Sequence, residues 1–131
     1  MDLKASILVF LGGGVGAWLR VALGMHVDAS SRWFPGVGVL LVNLIGCVFI
    51  GAASVAMEDG PWKLGVIGGL VGGLTAFSSF ALLLETTARE GRWLWVGTQA
   101  ATHLLGGAVA VVAGMYVARY VLHLLNVGAS P

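Results

Sequence analysis

Charge is what this sequence has least of. Its 131 residues include seven Lys and Arg against six Asp and Glu, 10% of the chain, and none of them stands at the centre of a long apolar run. Such a balance provides no basic patch to hold a phosphate backbone, which argues against a nucleic-acid partner. Without a central carboxylate there is also little basis for a carrier that couples transport to an intramembrane proton site. Cysteine occurs once, at Cys47, so no internal disulfide can form, and its place inside an apolar run suits a small packing residue. Three scattered histidines, with no nucleophile elbow and no paired carboxylates, give neither a zinc site nor a recognisable catalytic centre.

What is abundant is apolar sequence. Hydrophobic residues make up 58% of the chain and the mean hydropathy is +0.94, values outside the soluble range and typical of an integral membrane protein. A spanning helix needs about 20 largely apolar residues, and four segments qualify: Ala5 to Gly24, Gly36 to Met57, Leu64 to Leu84 and Trp93 to Ala118. The intervals "MHVDASSRWFP", "EDGPWK" and "ETTAREGR" are too short to fold alone, so the expectation is an all-α, four-helix membrane bundle forming a single domain over residues 1–131. Both termini then lie on one side. Most of the five tryptophans fall at segment ends, where an amphipathic ring suits the headgroup region.

Basic residues counted by side give Lys4, Lys63 and Arg119 against Arg20, Arg32, Arg89 and Arg92. That is almost no bias, and a chain that inserts both ways can pair with itself as an antiparallel, dual-topology homodimer. Small residues recur at the spacing that lets helices approach closely in lipid: Gly12 and Gly16; Gly65, Gly69 and Gly73; Gly68 and Gly72; Gly106, Ala110 and Gly114. Recurrence in three of four segments favours a tightly packed bundle or oligomer over an isolated anchor.

The polar residues left inside the segments are neutral. Asn43 lies in the second; Thr75, Ser78 and Ser79 in the third; Thr98, Gln99, Thr102 and His103 in the fourth. Each has two readings. Asn43 either ties helices together or donates into a polar path. Ser78 and Ser79 either bond back to their own helix or face that path. His103 is either a satisfied core histidine or a pore-lining donor. Phe77 and Phe80, three apart, share a helix face; they are either core or, through the positive edges of their rings, partners for an anion.

The stretch "GGLTAFSS" (residues 72–79) adds a glycine pair and hydroxyl residues that compete for backbone hydrogen bonds. It predicts a break in the third segment near residues 72–76. Backbone freed at membrane depth persists only where protein or a water-filled site satisfies it, and its carbonyls would suit a hard monovalent cation.

These segments resemble the Fluc (CrcB) fluoride channel family along nearly the whole chain: "GGGVGAWLR", "GVGVLLVNLIGCVFIG", "GGLVGGLTAFSSF" and "EGRW". The resemblance implies an antiparallel homodimer in the cytoplasmic membrane with two pores, each built from both subunits, for passive fluoride efflux that lowers cytosolic fluoride. It assigns Phe77 and Phe80 to the pore with Asn43 beside them, and Ser78, Ser79, Thr102 and His103 as candidates for the polar path. It also implies a structural sodium ion on the dimer axis, held by the main-chain carbonyls of Gly72 and Thr75. Two positions depart from the family pattern: Ala76 replaces a hydroxyl residue, and Leu83 stands where many members have Glu, so Glu85 receives no pore role. A titrating His103 would make conduction depend on pH. The competing readings are a small four-helix proton-coupled drug exporter, which needs a central carboxylate this chain lacks, and a non-transporting membrane assembly subunit.

Overall fold

A computed structural model describes residues 2–30 and 36–128. Among these residues the chain is helical throughout, apart from short connections. Four spans are long and apolar enough to cross a membrane, Leu3–Asp28, Val37–Ala56, Pro61–Arg89 and Trp93–Leu125, and the protein is a multi-pass membrane protein. Helix α1 covers Leu3–Ser30 and α2 Val37–Ala56. The third span is composite: α3 (Pro61–Leu64), a π-helical stretch (Gly65–Val71), α4 (Gly72–Leu74) and, after an interruption, α5 (Phe77–Arg89). The last helix, α6, covers Trp93–Gly128.

Local chemistry explains the element ends. Asp2 caps α1 by accepting the Ala5 amide on Oδ1 at 2.8 Å. Near the other end of α1, Asp28 reaches across to the start of α2, where its carboxylate accepts the Gly38 amide at 2.9 Å and meets the positive end of that helix. Between α5 and α6 the chain reverses at Gly91, whose φ is +73°. The Gly91 amide donates to the Ala88 carbonyl at 2.9 Å and the Arg92 amide to the Thr87 carbonyl at 3.2 Å. This is the paired closure of a helix C-terminus that a left-handed glycine permits.

Helices α1 and α6 run past the apolar limits of Gly24 and Ala118. No proline or glycine pair interrupts "MHVDAS" or "RYVLHLLN", and hydropathy marks where lipid is tolerated rather than where a helix must stop. Arg20 consequently stands well inside α1, not at its end.

Two helix pairs organise the bundle: α2 lies along α6, and α1 lies along the π-helical stretch and α4. Glycine sets both separations. A Cβ on Gly12 would stand 2.6 Å from the Gly65 carbonyl oxygen, and one on Gly73 would stand 2.5 Å from that of Gly13. In the second pair, Gly51 and Gly114 face the Val111 and Val48 carbonyls with no room for a side chain. Backbone meets backbone at these points, the contact that small residues allow in lipid. Much of α1, α5 and α6 remains apolar and uncovered, including Phe10, Leu11, Phe77, Leu104, Leu105 and Tyr116.

Candidate functional site

The interruption of the third span is the centre of the site. Thr75 (φ −78°, ψ 151°) and Ala76 (φ −141°, ψ 82°) are extended, so α4 ends and α5 begins with their facing backbone groups released from helical pairing. In an unbroken helix the Ala76 amide would donate to the Gly72 carbonyl. Here it donates to Oδ1 of Asn43 at 2.7 Å. The Thr75 carbonyl accepts from Nη1 of Arg20 at 3.2 Å, while the Thr75 hydroxyl returns to the Val71 carbonyl, also at 3.2 Å.

The segment "VNLIG" is the mould for this break. Val42 is buried, Asn43 takes the freed amide, and Gly46, one helical turn on, leaves room for the methyl group of Thr75. Because an amide hydrogen can be met only by the Asn43 oxygen, the orientation of that side chain is fixed. Its two N–H donors are what it has left to offer.

A cavity of about 430 Å³ opens beside the break. Its wall includes Asn43, Cys47, Gly72, Thr75, Phe77, Phe80 and His103, and among the described residues no Asp, Glu, Lys or Arg lines it. Phe80 is 7% exposed and Phe77 76%. Their rings meet edge to face, centroids 5.8 Å apart at 65°. On its other side Phe80 stacks on His103, centroids 4.3 Å apart at 25°. The His103 ring is held from within its own helix, with Nδ1 2.9 Å from the Gln99 carbonyl oxygen.

Across the break lies a second cavity, of about 210 Å³, with Arg20, Asp28, Val42, Ala76 and Ser79 in its wall. Ser79 thus lines a different cavity from the phenylalanine pair, although it stands between the two on α5. Ser78 lies on the exposed side of α5 and lines neither cavity. Thr102 is turned back along α6, donating to the Thr98 and Gln99 carbonyls at 2.9 and 3.1 Å. The structure therefore gathers Asn43, Gly72, Thr75, Phe77, Phe80 and His103 round one cavity and leaves Ser78, Ser79 and Thr102 outside it.

Two residues outside that set matter as well. Arg20 reaches the break itself, which sequence reasoning missed by placing it at a segment end; apolar sequence on both sides of it was the available signal. Gln99 is fully buried, with the Thr87 hydroxyl 3.4 Å from its Oε1, and it joins α5 to α6 behind the His103 ring. Leu83 packs over the start of α2, its methyl groups filling the space beside Gly36. Glu85 is exposed and pairs with Arg89 on the same helix.

Of the two carbonyls expected to hold a sodium ion, that of Gly72 is free of a cation among the described residues, whereas that of Thr75 already accepts the Arg20 guanidinium at 3.2 Å, so sodium fits on both only where Arg20 gives way. Both oxygens are hard donors, both residues wall the same cavity, and the break takes from each the amide four residues on that a continuous helix would supply. Gly72 is open on its outer side, where a side chain would meet only the Ile67 carbonyl, at 3.5 Å. One chain offers two such oxygens.

Comparison with known proteins identifies the family of the chain. Residues 7–115 match the family model described as CrcB-like protein, Camphor Resistance (CrcB). A protein of Pseudomonas putida (strain W619) named fluoride-specific ion channel FluC is 41% identical, the match covering 86% of this chain and 92% of that one. Proteins of the same name from Erwinia tasmaniensis and Burkholderia cenocepacia are 36% and 38% identical, over 88% and 86% of this chain and 95% and 91% of theirs.

Proposed function

This chain belongs to the CrcB family, and we propose that it is a fluoride-selective channel that lets fluoride leave the cytosol passively across the cytoplasmic membrane. The observation that carries the reading is the uncharged cavity in which the amide of Asn43 and the ring pair of Phe77 and Phe80 stand together beside broken backbone. Fluoride is small and strongly hydrated, so a path for it must replace water with donors without holding the ion too tightly to release it. Ring edges and amide or hydroxyl hydrogens do this with partial charges only. Arg20, Asp28 and Ser79, in the second cavity, supply a polar approach to the break in which the Arg20 charge is offset by the Asp28 carboxylate. Ser78 and Thr102 extend the polar surface only if a second chain or a rotamer change brings their hydroxyls to the path.

The exposed face of Phe77 and the open flank of Gly72 support assembly as an antiparallel homodimer with a pore shared between subunits. Two carbonyls from each chain would then hold the axial sodium ion, which would supply positive charge that locks the two breaks together.

The test is efflux from liposomes carrying the purified protein, read with a fluoride electrode and compared with chloride efflux. Fluoride efflux without chloride efflux supports the channel. Transport of an organic cation driven by a proton gradient would favour the exporter reading, and no transport of any kind the assembly-subunit reading.

A further inference from the structure

His103 carries one group that the channel reading does not explain. Its Nε2 is buried and has no hydrogen-bond partner among the described residues. The tautomer follows from the other nitrogen. Nδ1 lies 2.9 Å from the Gln99 carbonyl oxygen, which can only accept, so Nδ1 carries the hydrogen of the neutral ring. Nε2 is then a bare lone pair, enclosed within a ring that lines the uncharged cavity and stacks against Phe80, and an anion meets it only where that wall opens. A fluoride ion approaching that lone pair is repelled. Protonation reverses the sign, because the imidazolium presents an N–H and a positive charge where the neutral ring presents a lone pair.

We infer that His103 is a fluoride-binding residue that takes up its anion together with a proton. The inference rests on the fluoride-channel reading and deepens it. The step is an association: Nε2, one proton from solution and one fluoride ion combine as an imidazolium N–H···F⁻ pair, the nitrogen lone pair forming the N–H bond and no other bond changing. The resulting pair is neutral overall, which lowers the cost of holding an anion away from water. The edge of the Phe80 ring stacked beneath the imidazole remains available to an anion.

Little else near the ring titrates. From α2 the cavity receives Asn43, which is neutral, and the Cys47 thiol. From the π-helical stretch, α4 and the break it receives Ile67, Val71, Gly72 and Thr75, and from α5 Phe77 and Phe80. On α6 the neighbour is Gln99, whose side chain is also neutral. The cation at the break, Arg20, is engaged with the Thr75 carbonyl and lines the other cavity, and Glu85 is paired with Arg89 at the surface.

The linkage is reciprocal. Fluoride must raise the pH at which His103 titrates, and fluoride affinity must fall as pH rises through that midpoint, by up to about tenfold per pH unit. The full-length protein in lipid nanodiscs, labelled with ¹⁵N in its histidine rings, is titrated by NMR with sodium fluoride and, separately, with sodium chloride at equal concentration. A His103→Gln variant identifies the His103 resonances against those of His26 and His123. The expected result is a midpoint moved upward by about one pH unit at saturating fluoride, as a tenfold preference for the protonated ring requires, with no movement in chloride. A midpoint that fluoride leaves in place overturns the inference. Liposome efflux with the same preparation separates the two ideas. Fluoride efflux alongside an unmoved midpoint removes the role of His103 and leaves the channel, whereas absence of fluoride efflux removes the channel reading itself. As a further check, the fluoride dependence of wild-type efflux should shift between about pH 6 and 8 and that of His103→Gln should not.

Discussion

Asn43 uses the two ends of one amide for different purposes. Its oxygen satisfies the backbone hydrogen that the break releases, and its nitrogen remains to face the cavity. Asn43→Ala therefore leaves the Ala76 amide unpaired, at a cost of about 1–3 kcal/mol. The expected outcome is a lower melting temperature in detergent together with lost fluoride efflux. Phe80→Ile separates stability from conduction: the side chain stays apolar and buried, so the protein should fold and assemble normally while efflux falls by at least about tenfold, the loss that roughly 1.4 kcal/mol of ion stabilisation represents. Retention of full efflux by Phe77→Ile and Phe80→Ile together would show that ring edges are not the path. The phenylalanine pair and Asn43 were legible in sequence because their spacing and their rarity in apolar surroundings stand out. Gln99 and Arg20 were harder to read. Which face of α6 a glutamine occupies, and whether an arginine turns inward or toward the headgroups, depends on where neighbouring backbone has been opened, and hydropathy does not record that.

At the scale of elements, the break was legible as composition and not as geometry. "GGLTAFSS" showed where helix propensity weakens, whereas the extended pair Thr75 and Ala76 is fixed by Asn43 and Gly46 on another helix. The expected loss of a hydroxyl at Ala76 falls on a residue whose recognised contact is its amide and whose side chain is buried. Helix lengths were less legible, since apolar windows end before α1 and α6 do. Two changes test how the elements are joined. Gly91→Ala places a Cβ on a left-handed turn and should lower stability by about 1 kcal/mol, measurable by thermal unfolding, with efflux per folded protein unchanged. Gly12→Val inserts a side chain where a Cβ would already stand 2.6 Å from the Gly65 carbonyl oxygen. No flexible neighbour can yield there, so α1 should separate from the third span and folded protein should no longer be recovered on size-exclusion chromatography.

At the scale of the whole molecule, the near-equal distribution of basic residues and the uncovered apolar faces meet in one expectation. A version carrying Cys47→Ser and Glu58→Cys, which leaves every Lys and Arg in place, treated in intact cells with a membrane-impermeant maleimide, should label to about half, because the positive-inside rule gives neither orientation a clear advantage. Labelling close to all or none would rule out dual topology. Phe77, largely exposed on one protomer although it belongs to the ring pair, has a consequence for the cell. If the proposed antiparallel dimer holds, a lone chain would carry half a conduit and would confer nothing until it met a copy of opposite orientation. At low expression such encounters scale with the square of copy number, so resistance to fluoride should climb more steeply than protein abundance and level off once nearly every chain has found its counterpart.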